Sequence, residues 1–358
     1  MKNINLGVIG VGALGRHHAR ILAGLDGVNL IGVADSSEER GRAVAESSEC
    51  KWFADYVEML DEVDAVSVAV PTFSHKSVAL ECLARNIPMM MEKPLAGNLS
   101  DAREIAALAT ERNVTLQVGH VERFNPATIA ASKCCSNPKY IRSERLSSFS
   151  FRSTDISIIH DLMIHDIDLV LGFNNSPIKD VQAFGIALFG DLEDAVQARL
   201  VFENGCIADL SASRISPVAD RTMQVWSAEG CVTVDFTSRE VKRYSPGKAL
   251  TEGPSPVELA LQPGADIERM KQDVFGSYIE VEDQPVENQD ALTAELAHFV
   301  ECVISGSTPL VNAWTAVRAL EVADQIREKV QTHTWTNRAA GPIGPHVISR
   351  EKSSKKAA

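Results

Sequence analysis

Apolar positions fall in two textures along the chain. In the first third, short apolar runs at 5–9, 28–34, 65–70, 88–91 and 115–118 are bounded by polar or turn-forming residues. Runs of that length without alternation read as strands buried on both faces. Between them, 14–25, the segment opened by Ser36, 75–85 and 101–112 carry apolar residues at helical spacing. Strands alternating with helices predict a doubly wound parallel sheet with right-handed crossovers.

The texture changes after about residue 124. Residues 140–152 alternate apolar and polar, and a helical pattern follows at 159–171. Alternating runs at 181–188, 195–202, 206–214, 222–227 and 230–236 then read as antiparallel strands, with hairpin turns at 203–205 and 228–230. The expectation is an α+β domain built on an open, mainly antiparallel sheet with a helix against it. Gly and Pro mark 247–266 as a loop, and 289–305 and 313–330 read as long amphipathic helices able to pack back on the first domain. The boundaries that follow are 1–123, 124–335 and a flexible tail or peripheral arm at 336–358. No internal repeat is visible.

Composition narrows the class. A chain of 358 residues exceeds what one core usually organises. Its 45% hydrophobic and 23% charged residues are ordinary for a globular protein. The net charge of −13 repels phosphate backbones and anionic membranes, so neither nucleic acid nor a membrane is the expected partner. Seven cysteines without a C-x-x-C pair read as reduced thiols. Glycines break the apolar start of the chain, and no run is long enough to span a bilayer, so a cytoplasmic location is expected.

Candidate chemistry begins at the first strand's end. Gly10, Gly12 and Gly15, with Ala13 and Leu14 between, form G-x-G-x-x-G where a strand meets a helix. Gly10 permits the tight turn, Gly12 lets backbone approach a pyrophosphate, and Gly15 allows close helix packing. The helix N-terminus offers free N–H groups to the phosphates. Asp35 closes the second strand, where a carboxylate accepts ribose hydroxyls and repels a 2′-phosphate. NAD is therefore favoured, although Arg40, beyond Ser36, leaves NADP possible.

Two later strand ends carry polar groups: Pro71, Thr72 and His75 after the third, and Glu92-Lys93-Pro94 after the fourth. Ligands in such sheets bind at the strands' carboxyl ends, so both segments should face the nicotinamide. Lys93 there could steady a developing alkoxide; from position alone the alternative is a surface lysine before a helix-entry proline. The densest polar cluster is His160, Asp161, His165, Asp166 and Asp168. On a helix Asp161 and His165 share a face, which makes His165 a candidate general base and Asp161 its partner or a ligand for a substrate hydroxyl. A metal site would need further ligands, and no spacing supplies them.

These residues together resemble the glucose-fructose oxidoreductase/inositol dehydrogenase/rhizopine catabolism family, from residue 3 to about 330. The resemblance implies a Rossmann domain followed by an open-sheet domain. It also implies NAD(P)-linked oxidation or reduction at a sugar or cyclitol hydroxyl carbon. By it, Lys93, Asp161 and His165 correspond to a catalytic lysine, aspartate and histidine. The segment from Gly119 to Pro126 and the run around Asp161 look like UDP-N-acetylglucosamine 3-dehydrogenases and their nucleotide-sugar relatives. That likeness would place Arg123 and Asn125 near cofactor and sugar. It implies a downstream aminotransferase, and the broad face that an open antiparallel sheet leaves to cover points to a homodimer or homotetramer. A dehydrogenase of a free cyclitol, or a non-catalytic NAD(H)-binding regulator, are the alternatives.

Overall fold

The computed structural model describes residues 3–151, 156–336, 338 and 340–345. Contacts divide the chain into two compact units, Met1–Phe124 with Gln289–Asp324 and Asn125–Asn288 with Gln325–Ala358.

The first unit is built on six strands: β1 (Ile4–Ile9), β2 (Val28–Ala34), β3 (Lys51–Phe53), β4 (Ala65–Val68), β5 (Met89–Glu92) and β6 (Leu116–Gly119). Their order is β3-β2-β1-β4-β5-β6, and every pairing is parallel. The connections hold α1 (Gly15–Ala23), α2 (Glu38–Ser47), α3 (Tyr56–Leu60), α4 (His75–Ala84) and α5 (Leu99–Glu111). β5 shows why its sequence does not alternate. Met89 and Met91 join the core that holds Leu83 and Ile105, whereas Met90 joins the opposite core with Leu6 and Leu22. Helices cover both faces, so every position in the strand is apolar.

The second unit opens with α6 (Pro126–Cys134). It then builds β7 (Tyr140–Leu146), α7 (Ile164–Phe173), β8 (Ile178–Ile186), β9 (Ala195–Phe202), β10 (Ile207–Ser213), β11 (Asp220–Ser227), β12 (Gly230–Asp235) and β13 (Glu240–Pro246). Three short helices follow, α8 (Lys248–Thr251), α9 (Pro256–Ala260) and α10 (Ile267–Gln272), then β14 (Ile279–Asp283). The eight strands run β14-β13-β12-β11-β7-β10-β9-β8. Only β7 and β10 pair in parallel. In β9, Val196, Ala198, Leu200 and Phe202 are buried while Gln197 and Arg199 face out. That period of two is what a half-buried sheet requires.

Two expectations need amending. The stretch expected as a loop, 247–266, contains α8 and α9 and leads into α10, because Pro256 starts α9 at its first turn and Asp266 caps α10. The described part of the tail is tied down: Ile343 pairs with Ile186, with Ala187 N donating to Ile343 O at 2.9 Å and Ile343 N to Gly185 O at 3.1 Å. The rest of the tail, and the end of the strand-like run at 152, lie outside the described residues. β3, α3, α6, β13 and β14 were not expected at all.

α11 (Ala291–Ser305) groups with the first unit, and α12 (Ala313–Thr332) runs from the first grouping into the second. Leu296 and Phe299 of α11 close the core around Leu6 and Met90. The sequence had drawn 124–335 as one domain with these helices packing back. Among the described residues, no helix is long and apolar enough to cross a membrane.

Candidate active site

The strand order reverses between β1 and β4, and in an open parallel sheet that reversal leaves a crevice at the strands' carboxyl ends. The loop from Gly10 to Leu14 stands at one side of it. Gly10 has φ +83, a region closed to most side chains, and a Cβ there would lie 2.8 Å from the Ala69 carbonyl oxygen. A Cβ on Gly15 would sit 1.8 Å from the Gly10 carbonyl oxygen, so α1 crosses the loop in contact with it. Gly12 differs: nothing lies within 4 Å of where its Cβ would be. Its backbone is open to a ligand's close approach. α1 has no side-chain cap and no acid in its first turn, so its N–H groups and positive end are unmasked. Loop and helix together fit a dinucleotide pyrophosphate.

Asp35 is buried and locks this loop to the end of β2. Its Oδ2 accepts from Val11 N at 2.9 Å and its Oδ1 from Ser37 N at 2.8 Å. Arg40 forks onto the same carboxylate, Nε to Oδ2 at 3.0 Å and Nη2 to Oδ1 at 2.6 Å. Burial pushes the Asp35 carboxyl up, but the Arg40 hydrogen bond and the Ser37 and Val11 N–H groups outweigh it. Its pKa therefore lies below the ordinary aspartate value. Arg40, half exposed, is thus held against the acid at which an adenosine ribose would bind. The α2 cap is Ser37, which accepts from Arg40 N, and not Ser36, which is exposed.

Across the crevice, Pro71 leads into a short 3-10 turn, Thr72–Ser74, with Thr72 half-buried and Phe73 86% exposed. His75 opens α4 with its ring inside the unit. Its Nδ1 lies 2.8 Å from the Pro94 carbonyl oxygen and its Nε2 3.0 Å from that of Val70. Burial pulls its pKa down, and the two carbonyls and Glu92 offset only part of that. The sequence assigned His75 to the cofactor; its ring nitrogens lie against two main-chain carbonyls. Lys93 is half-buried at the end of β5, and the Lys93–Pro94 peptide is cis. Glu92 turns inward: its carboxyl lies 3.1 Å from where a Gly119 Cβ would be, and 3.2 Å from Nε2 of the buried His18.

Arg123 sits in a 3-10 turn after β6, half-buried. Asn125 is the α6 N-cap, its Oδ1 accepting from Ala127 N at 3.0 Å, with Pro126 in the first turn. Asp161 lies in a π-helical turn, Ile159–Met163, and His165 follows at the start of α7; both are half-buried. An i→i+5 turn is a local widening of the helix often found at functional sites, and residues four apart still point to one side. Asp166 anchors this segment. It accepts from Arg145 Nε at 2.8 Å and Ser143 Oγ at 2.9 Å, all within the second unit's core. Ser157, just before the turn, bonds the buried Glu193. Lys93 and Arg123 thus belong to the first unit, and Asn125, Asp161 and His165 to the second. Among the described residues, no group of three or more His, Cys, Asp or Glu could hold a metal ion.

Sequence reasoning missed His18, Ser67 and Arg145. For His18 a signal existed: it shares the inner face of α1 with Gly15, Ala19 and Leu22, a place where a polar side chain needs a partner.

Comparison with known proteins gives concordant matches. Residues 4–120 match the oxidoreductase family with an NAD-binding Rossmann fold, and residues 135–233 match the GFO/IDH/MocA C-terminal domain. UDP-N-acetylglucosamine 3-dehydrogenase of Acidithiobacillus ferrooxidans is 32% identical over 334 residues, 92% of this chain and 98% of that protein. Its solved structure superposes with a TM-score of 0.80 at 31% identity, covering 92% of this chain and 98% of that one. The scyllo-inositol 2-dehydrogenase (NAD(+)) of Bacillus subtilis is 26% identical, over 89% of this chain and 92% of that protein.

Proposed function

The chain belongs to the GFO/IDH/MocA oxidoreductase family, and from that premise we propose that it oxidises a ring hydroxyl of a nucleotide-linked sugar to a ketone, at C3 of UDP-N-acetylglucosamine. It is an NAD-dependent sugar dehydrogenase with a Rossmann domain. The observation that carries the finer reading is the match to the UDP-N-acetylglucosamine enzyme over 92% of this chain and 98% of that protein, at 32% identity against 26% for the scyllo-inositol enzyme over a similar span.

The residues divide the work. Gly10, Gly12, Ala13, Leu14 and Gly15, with the α1 N-terminus, hold the pyrophosphate. Asp35 receives the adenosine ribose, with Ser36 and Arg40 beside it. Pro71, Thr72 and Glu92 shape the nicotinamide end. NAD supplies the hydride acceptor. Lys93 donates a hydrogen bond to the reacting oxygen and offsets its growing negative charge. His165 takes the hydroxyl proton, and Asp161 orients either the imidazole or the sugar. Arg123 and Asn125 complete the sugar contacts. The product ketone is a natural substrate for an aminotransferase, which would place the enzyme in envelope-sugar biosynthesis. A homodimer or homotetramer is the proposed assembly, and NADP is the alternative cofactor.

Mixing protein, NAD and UDP-N-acetylglucosamine should produce NADH absorbance. Lys93→Ala and His165→Ala should each lower kcat by about 10²–10⁴. Turnover of scyllo- or myo-inositol with none of the nucleotide sugar would replace this reading with a cyclitol dehydrogenase.

A further inference from the structure

Two buried histidines flank the Glu92-Lys93-Pro94 turn, and neither has a part in the chemistry above. His18, on α1, is 0% exposed. Its Nδ1 lies 2.8 Å from Ser67 Oγ on β4, and its Nε2 3.2 Å from Glu92 Oε1. A carboxylate only accepts, so the proton belongs on Nε2 and the serine hydroxyl donates to Nδ1. The Nε2 contact is close without being aligned as a hydrogen bond, and so holds the carboxylate by the N–H dipole and by packing. Glu92 can turn inward because position 119 is glycine: a Cβ there would meet its carboxyl carbon and both oxygens at 3.1–3.2 Å. On the other side of Lys93, the His75 ring lies between the Pro94 carbonyl, 2.8 Å from Nδ1, and the Val70 carbonyl at the exit of β4, 3.0 Å from Nε2; the one N–H of the neutral ring donates at the shorter contact, to Pro94.

We propose that His18 and His75 are positioning residues for Lys93, fixing the residue before it and the residue after it to the β4 strand and its exit. His18 holds the Glu92 side chain while Ser67 fixes the ring; His75 holds the Pro94 main chain. Lys93 is a long side chain, and its ammonium can be placed only as well as its backbone is. The His18 brace also ties the turn to α1, whose N-terminus follows the glycine loop, so cofactor site and lysine share one support. This inference rests on the reading of Lys93 as catalytic.

Isosteric replacements separate the two contacts of His18. Asparagine keeps a polar atom near Nδ1 for Ser67 and cannot reach Glu92. Glutamine reaches Glu92 and gives up Ser67. With UDP-N-acetylglucosamine and NAD, His18→Asn should lower kcat about 10–100-fold, an effect of the size one misplaced group produces. The Kd for NADH and the sugar KM should stay within about threefold, a split that marks loss of transition-state placement alone. His18→Gln should recover most of kcat. Gly119→Ala, which crowds the Glu92 carboxyl and leaves residue 18 a histidine, should reproduce the His18→Asn loss. A second readout needs no turnover: amine labelling followed by mass spectrometry should show Lys93 modified several-fold faster in His18→Asn and Gly119→Ala than in wild type or His18→Gln. Equal losses in the asparagine and glutamine variants, tracking a fall in Tm, would overturn the proposal. So would unchanged kcat and labelling in His18→Asn. If Lys93→Ala itself turned over normally, the catalytic reading would fall, and the brace with it. An inactive Lys93→Ala beside a normal His18→Asn would remove the brace alone.

Discussion

A methyl group placed at Gly15 would overlap the Gly10 carbonyl oxygen at 1.8 Å, whereas one placed at Gly12 would meet nothing within 4 Å. Two glycines of one motif therefore answer to different demands, one to the protein and one to its ligand. Gly15→Ala should lower Tm and abolish NAD binding together, because α1 must move off the loop. Gly12→Ala should leave Tm within about 2 °C of wild type, since a substitution that touches nothing is near neutral. It should still weaken NAD by about tenfold or more, because the methyl enters the space the phosphates approach. Calorimetric titration and a thermal melt on each variant check both halves. The glycines and Asp35 were legible from spacing because their demands are local in the chain. The fork of Arg40 onto Asp35, the inward turn of Glu92 and the two carbonyls on His75 were not. Each depends on which rotamer a side chain takes among neighbours brought in from other elements.

The elements most easily read were those buried on one or both faces. β1, β2, β4 and β9 carry their burial in their composition. β13 and β14, at and next to one end of the large sheet, read EVKRYSP and IEVED, with little apolar pattern to find. β3 is only three residues, and α6 is rich in small side chains that give a weak helical stripe. The π-helical turn under Asp161 was also invisible, since its residues read like any helical turn. Just beyond it lies the Arg145–Asp166 pair, with side chains 5% and 3% exposed. Breaking a buried pair strands a charge, so Arg145→Met alone should cost about 3–5 kcal/mol in chemical denaturation. Adding Asp166→Asn should return part of it, because the uncompensated carboxylate is gone. Additive losses in the double variant would show that the two groups do not act as a pair.

For the whole molecule, the net charge of −13 and the titrations of a few buried groups set how stability responds to acid. Burial lowers the His75 and His298 pKa values below 6.5, against the opposing pull of carbonyls and Glu92 at His75 and of Glu301 at His298. The folded state thus prefers both rings neutral. Their contribution is intact above pH 6.5 and declines as pH falls from 6.5 through the folded-state values. Asp35 and Asp209, lowered from 3.8 despite the burial that raises them, lose theirs only as pH falls below 3.8. Tm should therefore fall in two stages on acidification, and His298→Asn should shrink the first. Cys50, Cys82 and Cys231, pushed up by burial to about 11, 12 and 11, should resist thiol reagents in the native protein. None of the seven cysteines is paired with another.

Whether a ring hydrogen at C3 reaches the nicotinamide can be followed directly by isotope. UDP-N-acetylglucosamine carrying deuterium at C3 is incubated with the protein and NAD, and the reduced cofactor is weighed by mass spectrometry. The account predicts NADH one mass unit heavier, formed with a 3-keto sugar. NADH of ordinary mass from the labelled sugar, or no NADH from it under conditions where an inositol is oxidised, would contradict it.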